Sequence, residues 1–111
     1  MAESEEHEKL RLAAKSILEK HNWHVEDAHE KPTIGGVDLT AVKEAKLWKI
    51  EIEISCSNIS TDLDNGAEIF VTTPKIKPLI EVELALLYKK VPVCDIDEFE
   101  KIVKLRSALK Y

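Results

Sequence analysis

The sequence predicts a mixed α/β domain in which a central sheet is flanked by helices. Three observations carry that expectation. Residues 49–55 alternate strictly, with Ile50, Ile52 and Ile54 pointing one way and Lys49, Glu51, Glu53 and Ser55 the other. Period two with β-branched residues marks a strand with one buried face. Leu10, Ala13, Ala14, Ile17 and Leu18 instead fall at helical spacing, as the apolar stripe of an amphipathic helix does. Ile69-Phe70-Val71 is apolar without alternation, the pattern of a strand covered on both faces within a parallel sheet. Strands and helices that alternate along a chain pack as a sheet between helices.

Length and composition bound the answer. The 111 residues are expected to form one domain, 1–111, large enough for a real core. The 44% hydrophobic and 33% charged residues argue against disorder, and a soluble globular protein is expected. No apolar run approaches the roughly 20 residues that span a bilayer, so no membrane role is expected. The acidic N-terminus does not resemble a signal peptide. Cys56 and Cys94 are too few for a disulfide framework, so free thiols and a cytoplasmic location are expected. Charge is uneven: residues 1–74 hold 15 Asp/Glu against 8 Lys/Arg, and residues 75–111 hold 6 against 8. Only the C-terminal third therefore offers a basic surface for nucleic acid. Glutamine is absent and Lys and Glu dominate the polar residues, a bias typical of hyperthermophile proteins.

The elements follow in order. A helix is predicted over residues 4–21, with Glu5, Glu6 and Glu8 suiting its first turn and Glu6 on its inward stripe. A strand starts at Trp23 to Val25 and fades toward Pro32, and Gly35-Gly36 punctuate a loop. Val37 to Val42 and the alternating segment flank a short turn, Lys43-Glu44-Ala45-Lys46, as an antiparallel hairpin. Ser60 or Thr61 caps a short helix that Gly66 ends. Ala67 to Thr73 is a strand. A helix from about Lys77 to Lys89 offers Leu79, Ile80, Val82, Leu84, Leu86 and Leu87 for burial. Val91 to Cys94 is a last strand, and Asp95 or Asp97 caps a final helix through Leu109. The order is α-β-β-β-α-β-α-β-α.

The candidate chemistry lies on the polar face of residues 49–55. Glu51 and Glu53 stand about 6.5–7 Å apart along the strand. The hairpin brings Asp38 near Glu51 across the ladder. Three carboxylates so close repel one another unless a cation sits among them, which points to a hard metal ion. Acids on the solvent face of an edge strand also deter aggregation, and alternation alone does not separate the two readings.

Element order adds a resemblance. A helix bearing an acid near its start, then a hairpin bearing D…ExK, then helix and strand, resembles the PD-(D/E)xK, or restriction-endonuclease-like, nuclease superfamily. The likeness runs from about residue 4 to 75. The chain resembles archaeal Holliday-junction resolvases and the nuclease-like domains attached to archaeal helicases and ATPases. Glu6-His7-Glu8-Lys9-Leu10 resembles their opening helix, Gly-Gly-Val-Asp-Leu at 35–39 the D motif, and Ile-Glu-Ile-Glu-Ile-Ser at 50–55 the ExK strand. Phe-Val-Thr-Thr-Pro at 70–74 resembles the strand and loop that follow.

The resemblance implies an α-β-β-β-α-β core with an extra C-terminal strand and helix, and a metal-dependent endonuclease acting on DNA, branched or structured DNA included. It implies that Asp38, Glu51 and the carbonyl of Ile52 hold Mg²⁺ or Mn²⁺, and that Glu6 orients a water or a second ion. Glu53 stands where the family carries lysine. Either Glu53 binds a second cation that replaces the lysine's charge, or Lys49 or Lys75 reaches the site, or the site is inactive. Lys75 and Lys77 are the expected phosphate contacts. The alternative function is an inactive nuclease-fold module that binds nucleic acid or a protein. Expected partners are DNA, a second copy in a homodimer, and a helicase or ATPase.

Other residues carry bland expectations. His21 and His24 suit a helix end. His7, beside Glu6, is expected at the surface, with tuning of the site as the alternative. Trp23 and Trp48 are expected in the core. Neither cysteine has a neighbouring base that would make it a nucleophile.

Overall fold

A computed structural model describes residues 3–30 and 36–108. The elements are α1 (Glu5–Lys20), β1 (His24–Asp27), β2 (Leu39–Lys43), β3 (Lys46–Ile52), α2 (Ile59–Asp64), β4 (Ile69–Val71), α3 (Lys77–Leu86), β5 (Val93–Cys94) and α4 (Ile96–Ala108). Their order is the one the sequence predicts. The loop expected around Pro32 and Gly35, and the helix end expected at Leu109, lie outside the described residues.

The sheet runs β1-β2-β3-β4-β5. β1, β2 and β3 pair antiparallel, and β3, β4 and β5 pair parallel. The structure is thus a mixed five-stranded sheet with flanking helices. One face carries Leu39, Ala41, Trp48, Ile50, Ile52, Ile69, Val71 and Cys94 against Ala14 and Leu18 of α1 and Phe99 and Val103 of α4. Trp48 lies between Trp23 and Phe99, with ring centroids 5.6 and 5.7 Å away. Both tryptophans are core residues, as expected. The other face carries Phe70 against Ile59 of α2 and Ile80 and Leu84 of α3. No helix among the described residues is long and apolar enough to cross a membrane.

Local chemistry sets the ends of the helices. Ser4 caps α1 by accepting the His7 N–H at 3.1 Å. Asn22, at φ 68°, stops it, and the Trp23 N–H turns back to the Leu18 carbonyl at 3.0 Å, the left-handed terminus of a Schellman motif. The same device ends α3 earlier than expected: Tyr88 adopts φ 55° and the Lys89 N–H bonds the Leu84 carbonyl at 3.0 Å. Asp95 and Glu98 start α4 with a reciprocal capping box, each side chain accepting the other's N–H at 2.9 and 3.1 Å. At α2 the cap is Asn58, which makes no side-chain cap bond; Ser60 and Thr61 lie inside the helix. The hairpin turn is the two-residue loop Glu44-Ala45, since Lys43 and Lys46 still pair.

Two expectations about burial change. The C-terminal end of β3 is covered on both faces: Glu51 and, just beyond the strand, Glu53 are each only 7% exposed, while Leu47 at the other end of that face is exposed. Alternation reports which residues share a face, and α2 and α3 lie over the face that carries the acids. On α3 only Ile80 and Leu84 are buried, while Leu79, Val82 and Leu86 are exposed. A ten-residue helix resting on one layer buries one stripe, and the remaining apolar residues point away from the sheet.

Candidate metal centre

The centre forms where β3 passes from an antiparallel to a parallel neighbour. Leu39 pairs with Ile50, so one step further along the ladder Asp38 stands opposite Glu51. Asp38 Oδ2 accepts the Ile52 N–H at 2.9 Å, and Asp38 and Glu51 share a hydrogen bond. The sequence expectation that the hairpin brings these two acids together agrees with the geometry. Glu53 follows on the same face, its N–H bonded to the Val71 carbonyl at 2.9 Å. There α2 contributes Asp62, which is buried and hydrogen-bonds Glu53. Glu51, Glu53 and Asp62 form a buried acidic cluster with ligand atoms within 4.8 Å of one another. A cleft of about 390 Å³ opens over Asp38, Glu51, Glu53 and Asp62, with Ser55 and Asn58 at its rim.

The second wall is the start of α1. His7 Nε2 lies 3.0 Å from the Ile52 carbonyl oxygen and 3.3 Å from Asp38 Oδ2. His7 Nδ1 bonds Glu3, and Arg11 Nε and Nη2 grip the Glu3 carboxylate at 2.8 and 2.9 Å. Arg11 also pairs with buried Asp27 of β1. His29 Nε2 bonds the other Asp38 oxygen at 3.0 Å.

These contacts divide the acids into two kinds. Burial first, then the hydrogen bond and charge of Asp38, pushes Glu51 up to about 11. Burial first, then Asp62, pushes Glu53 up to about 9. Asp62 is also raised, again by burial. Burial opposes ionisation of Asp38 too, but hydrogen bonds from His7, Glu51, the Ile52 N–H and His29 hold it well below the carboxylate range. The hydrogen bond to Asp38 is the main cause that raises His7 to about 9. The Arg11 bond lowers Glu3 to about 2.

The donor set fits a divalent cation. Glu51 Oε2 and Asp62 Oδ2 are buried and have no hydrogen-bond partner, a condition that native interiors rarely tolerate without a ligand or water.

The other residues expected at the site lie elsewhere. Glu6 is exposed and does not line the cleft. The side of α1 that looks at the sheet runs His7, Arg11, Ala14, Leu18, so Glu6 sits one residue, about 100°, off it. Lys49 shares the acids' strand face, but its Nζ runs to within 3.2 Å of the Cβ position of Gly66. Lys77 pairs with Glu98 at 2.9 Å on α4, and Lys75 is exposed away from the cleft. Among the described residues no lysine lines the cleft; its nitrogen groups are the imidazoles of His7 and His29. Sequence reasoning missed Glu3, His29 and Asp62 and set His7 at the surface. The i, i+4, i+7, i+11 stripe from His7 to Leu18 was the available signal for His7. Asp62 has no such signal, because its place depends on how α2 packs. No protein-family model matches the chain, and no curated protein matches its sequence.

Proposed function

We propose that the chain is a restriction-endonuclease-like domain of the PD-(D/E)xK type that hydrolyses phosphodiester bonds of DNA, branched or structured DNA included, with divalent cations. The observation that carries this reading is the pair of buried, unpartnered carboxylate oxygens, Glu51 Oε2 and Asp62 Oδ2, beside the hairpin that sets Asp38 against Glu51. Asp38, Glu51 and the Ile52 carbonyl would hold one Mg²⁺ or Mn²⁺ ion. Glu51, Glu53 and Asp62 would hold a second. When bound, such ions lower the pKa of a ligated water and neutralise charge on the phosphate. The protein's own part is to fix the acids before substrate arrives: the Ile52 N–H and His29 orient Asp38, and α2 presses Asp62 against Glu53. The second cation takes over the work of the lysine that Glu53 replaces. A homodimer would bury the exposed Leu79, Val82 and Leu86 of α3.

That no lysine among the described residues lines the cleft favours a rival reading, a non-catalytic module of the same fold that binds nucleic acid or a helicase or ATPase partner. Cleavage assays decide between them. Native protein with Mn²⁺ or Mg²⁺ is expected to cut a labelled linear duplex or four-way junction, and Asp38→Ala and Glu51→Ala are expected to be inert while remaining folded by circular dichroism. Cleavage that survives in both variants sinks the nuclease reading. Saturable Mn²⁺ binding without cleavage of either substrate leaves the module.

A further inference from the structure

A second cleft, of about 400 Å³, runs between the C-terminal half of α3 and β5 and shares no lining residue with the first. β3 and β5 both run parallel to β4, so Lys89, Lys90 and Val91, which lead into β5, lie at the end of the sheet opposite Glu51 and Glu53. Leu84, Ala85, Pro92 and Val93 make the cleft's walls apolar, and Lys89 and Lys90 stand at one end. The left-handed turn at Tyr88 and the bond from the Lys89 N–H to the Leu84 carbonyl fix that corner. Both lysines are exposed and neither has an ion-pair partner among the described residues, in a chain whose net charge is −5 at pH 7. Beside them β5 ends the sheet, and nothing among the described residues pairs with its outer edge. Pro92 and Cys94 turn their carbonyls inward, to the N–H groups of Phe70 and Thr72 at 2.9 Å. Alternation then turns the N–H and carbonyl of Val93 outward. Val91 has no backbone partner among the described residues either. The donor that Pro92 lacks falls on the inner side, so the outer edge keeps its own. Unpaired edge groups beside an apolar cleft are the two halves of a strand-addition site: main-chain bonds supply affinity, and pockets for alternate side chains supply selectivity.

We propose that this cleft binds an extended peptide segment of a partner protein, which adds to the sheet beside β5 as a sixth strand. The segment places apolar side chains at alternate positions over Leu84 and Ala85 and brings a carboxylate to Lys89 and Lys90. Glu81, about 12 Å up the helix from Lys89, also lines the cleft, so an acid is welcome at the lysine end only. A second copy of the chain fits less well. Its β5 is two residues long, and its Val93 and Cys94 already pack into its own core, so they leave the cleft unfilled. The inference does not depend on metal binding by the acids or on cleavage of DNA.

The probe is the fluorescein-labelled peptide Thr-Val-Thr-Val-Asp-Val with a free C-terminal carboxylate, followed by fluorescence anisotropy. Native protein is expected to bind it saturably. Replacing the peptide's Asp by Asn, or amidating its C-terminus, locates the carboxylate. A loss of about tenfold with the first assigns it to a side chain, and with the second to a chain end; loss with neither overturns the inference. Ala85→Glu, at an exposed position of α3, is expected to abolish binding by filling the cleft with like charge. Lys89→Glu combined with Lys90→Glu is expected to reverse the preference. The amidated peptide with Lys in place of Asp then binds about tenfold more tightly than the parent peptide. Amide exchange of the native protein, read by NMR, is expected to slow about tenfold or more at Val93 when the peptide saturates, because that N–H becomes bonded. Unchanged exchange at Val93 overturns strand addition on native protein, even if a variant misfolds. So does the absence of saturable binding, or binding that Ala85→Glu leaves intact. A dimer in sedimentation that the peptide does not displace and Ala85→Glu dissolves gives the face to a second copy and overturns the proposal.

Discussion

At its C-terminal end β3 is buried on both faces, and the two are chemically opposite. On one, Trp48, Ile50 and Ile52 pack against α1 and α4, with the three aromatic rings of Trp23, Trp48 and Phe99 in a row. On the other, Glu51 and Glu53 lie under α2 at the edge of a cleft, two of the cluster's oxygens unpartnered. The first face stabilises the fold by contact and transfer from water. The second works against it, because burying ionisable groups without full pairing is unfavourable. A chain that buries these acids holds Glu51 and Glu53 in their neutral form, a state that a bound cation would reverse. Burial by itself therefore says little about role; the partners of the buried atoms say more.

This contrast gives predictions of opposite sign for adjacent layers. Phe99→Ala, on the apolar face, is expected to destabilise the protein by about 3–5 kcal/mol in chemical denaturation; a loss below about 1 kcal/mol would mean that α4 is not part of the core. Glu53→Gln, on the acidic face, is expected to stabilise the metal-free protein by on the order of 1–3 kcal/mol at pH 8. The amide keeps a donor toward Asp62 and needs no proton taken up on folding. Unchanged or reduced stability in the same denaturation experiment would contradict the account of Glu53.

The acid face also sets the pH response. Glu51 and Glu53 are raised from 4.5 to about 11 and about 9, and His7 from 6.5 to about 9. Between pH 5 and 9 the folded state therefore binds more protons than the unfolded chain, and stability falls as pH rises through that window. Glu3 and Asp38 are lowered, so their contribution is present above their ordinary values and is lost only in stronger acid. The metal-free Tm is expected to drop by several degrees from pH 5 to pH 9, and saturating Mn²⁺ is expected to flatten or reverse the slope by ionising the same acids. A metal-free Tm that rises across this range would refute the protonated state of Glu51 and Glu53.

The smallest effect separates neighbours on α1. Glu6→Gln is expected to change stability by less than about 0.5 kcal/mol, with Mn²⁺ affinity unchanged within the error of the titration. A clear loss of affinity would return Glu6 to the site.

Much of the fold is legible in local sequence. The order of the nine elements follows from period two at 49–55, the helical stripes and the punctuation by Gly35-Gly36 and Gly66. So does the meeting of Asp38 and Glu51, since a short turn leaves the hairpin little choice of register. These features are properties of neighbouring residues. The rotation of α1 was decided elsewhere: Arg11 finds Asp27 and Glu3, which turns His7 rather than Glu6 toward the acids. The burial of Glu51 and Glu53 and the arrival of Asp62 depend on α2 and α3 packing over Phe70. Lys49 was lost to the site in the same way, drawn along the open backbone at Gly66. By itself the sequence determined which residues alternate, which repeat at helical spacing and where the chain turns, because those are short-range consequences of backbone geometry. Only the tertiary structure decided which charged groups share a buried space, because a buried charge takes its place from partners far away in the chain.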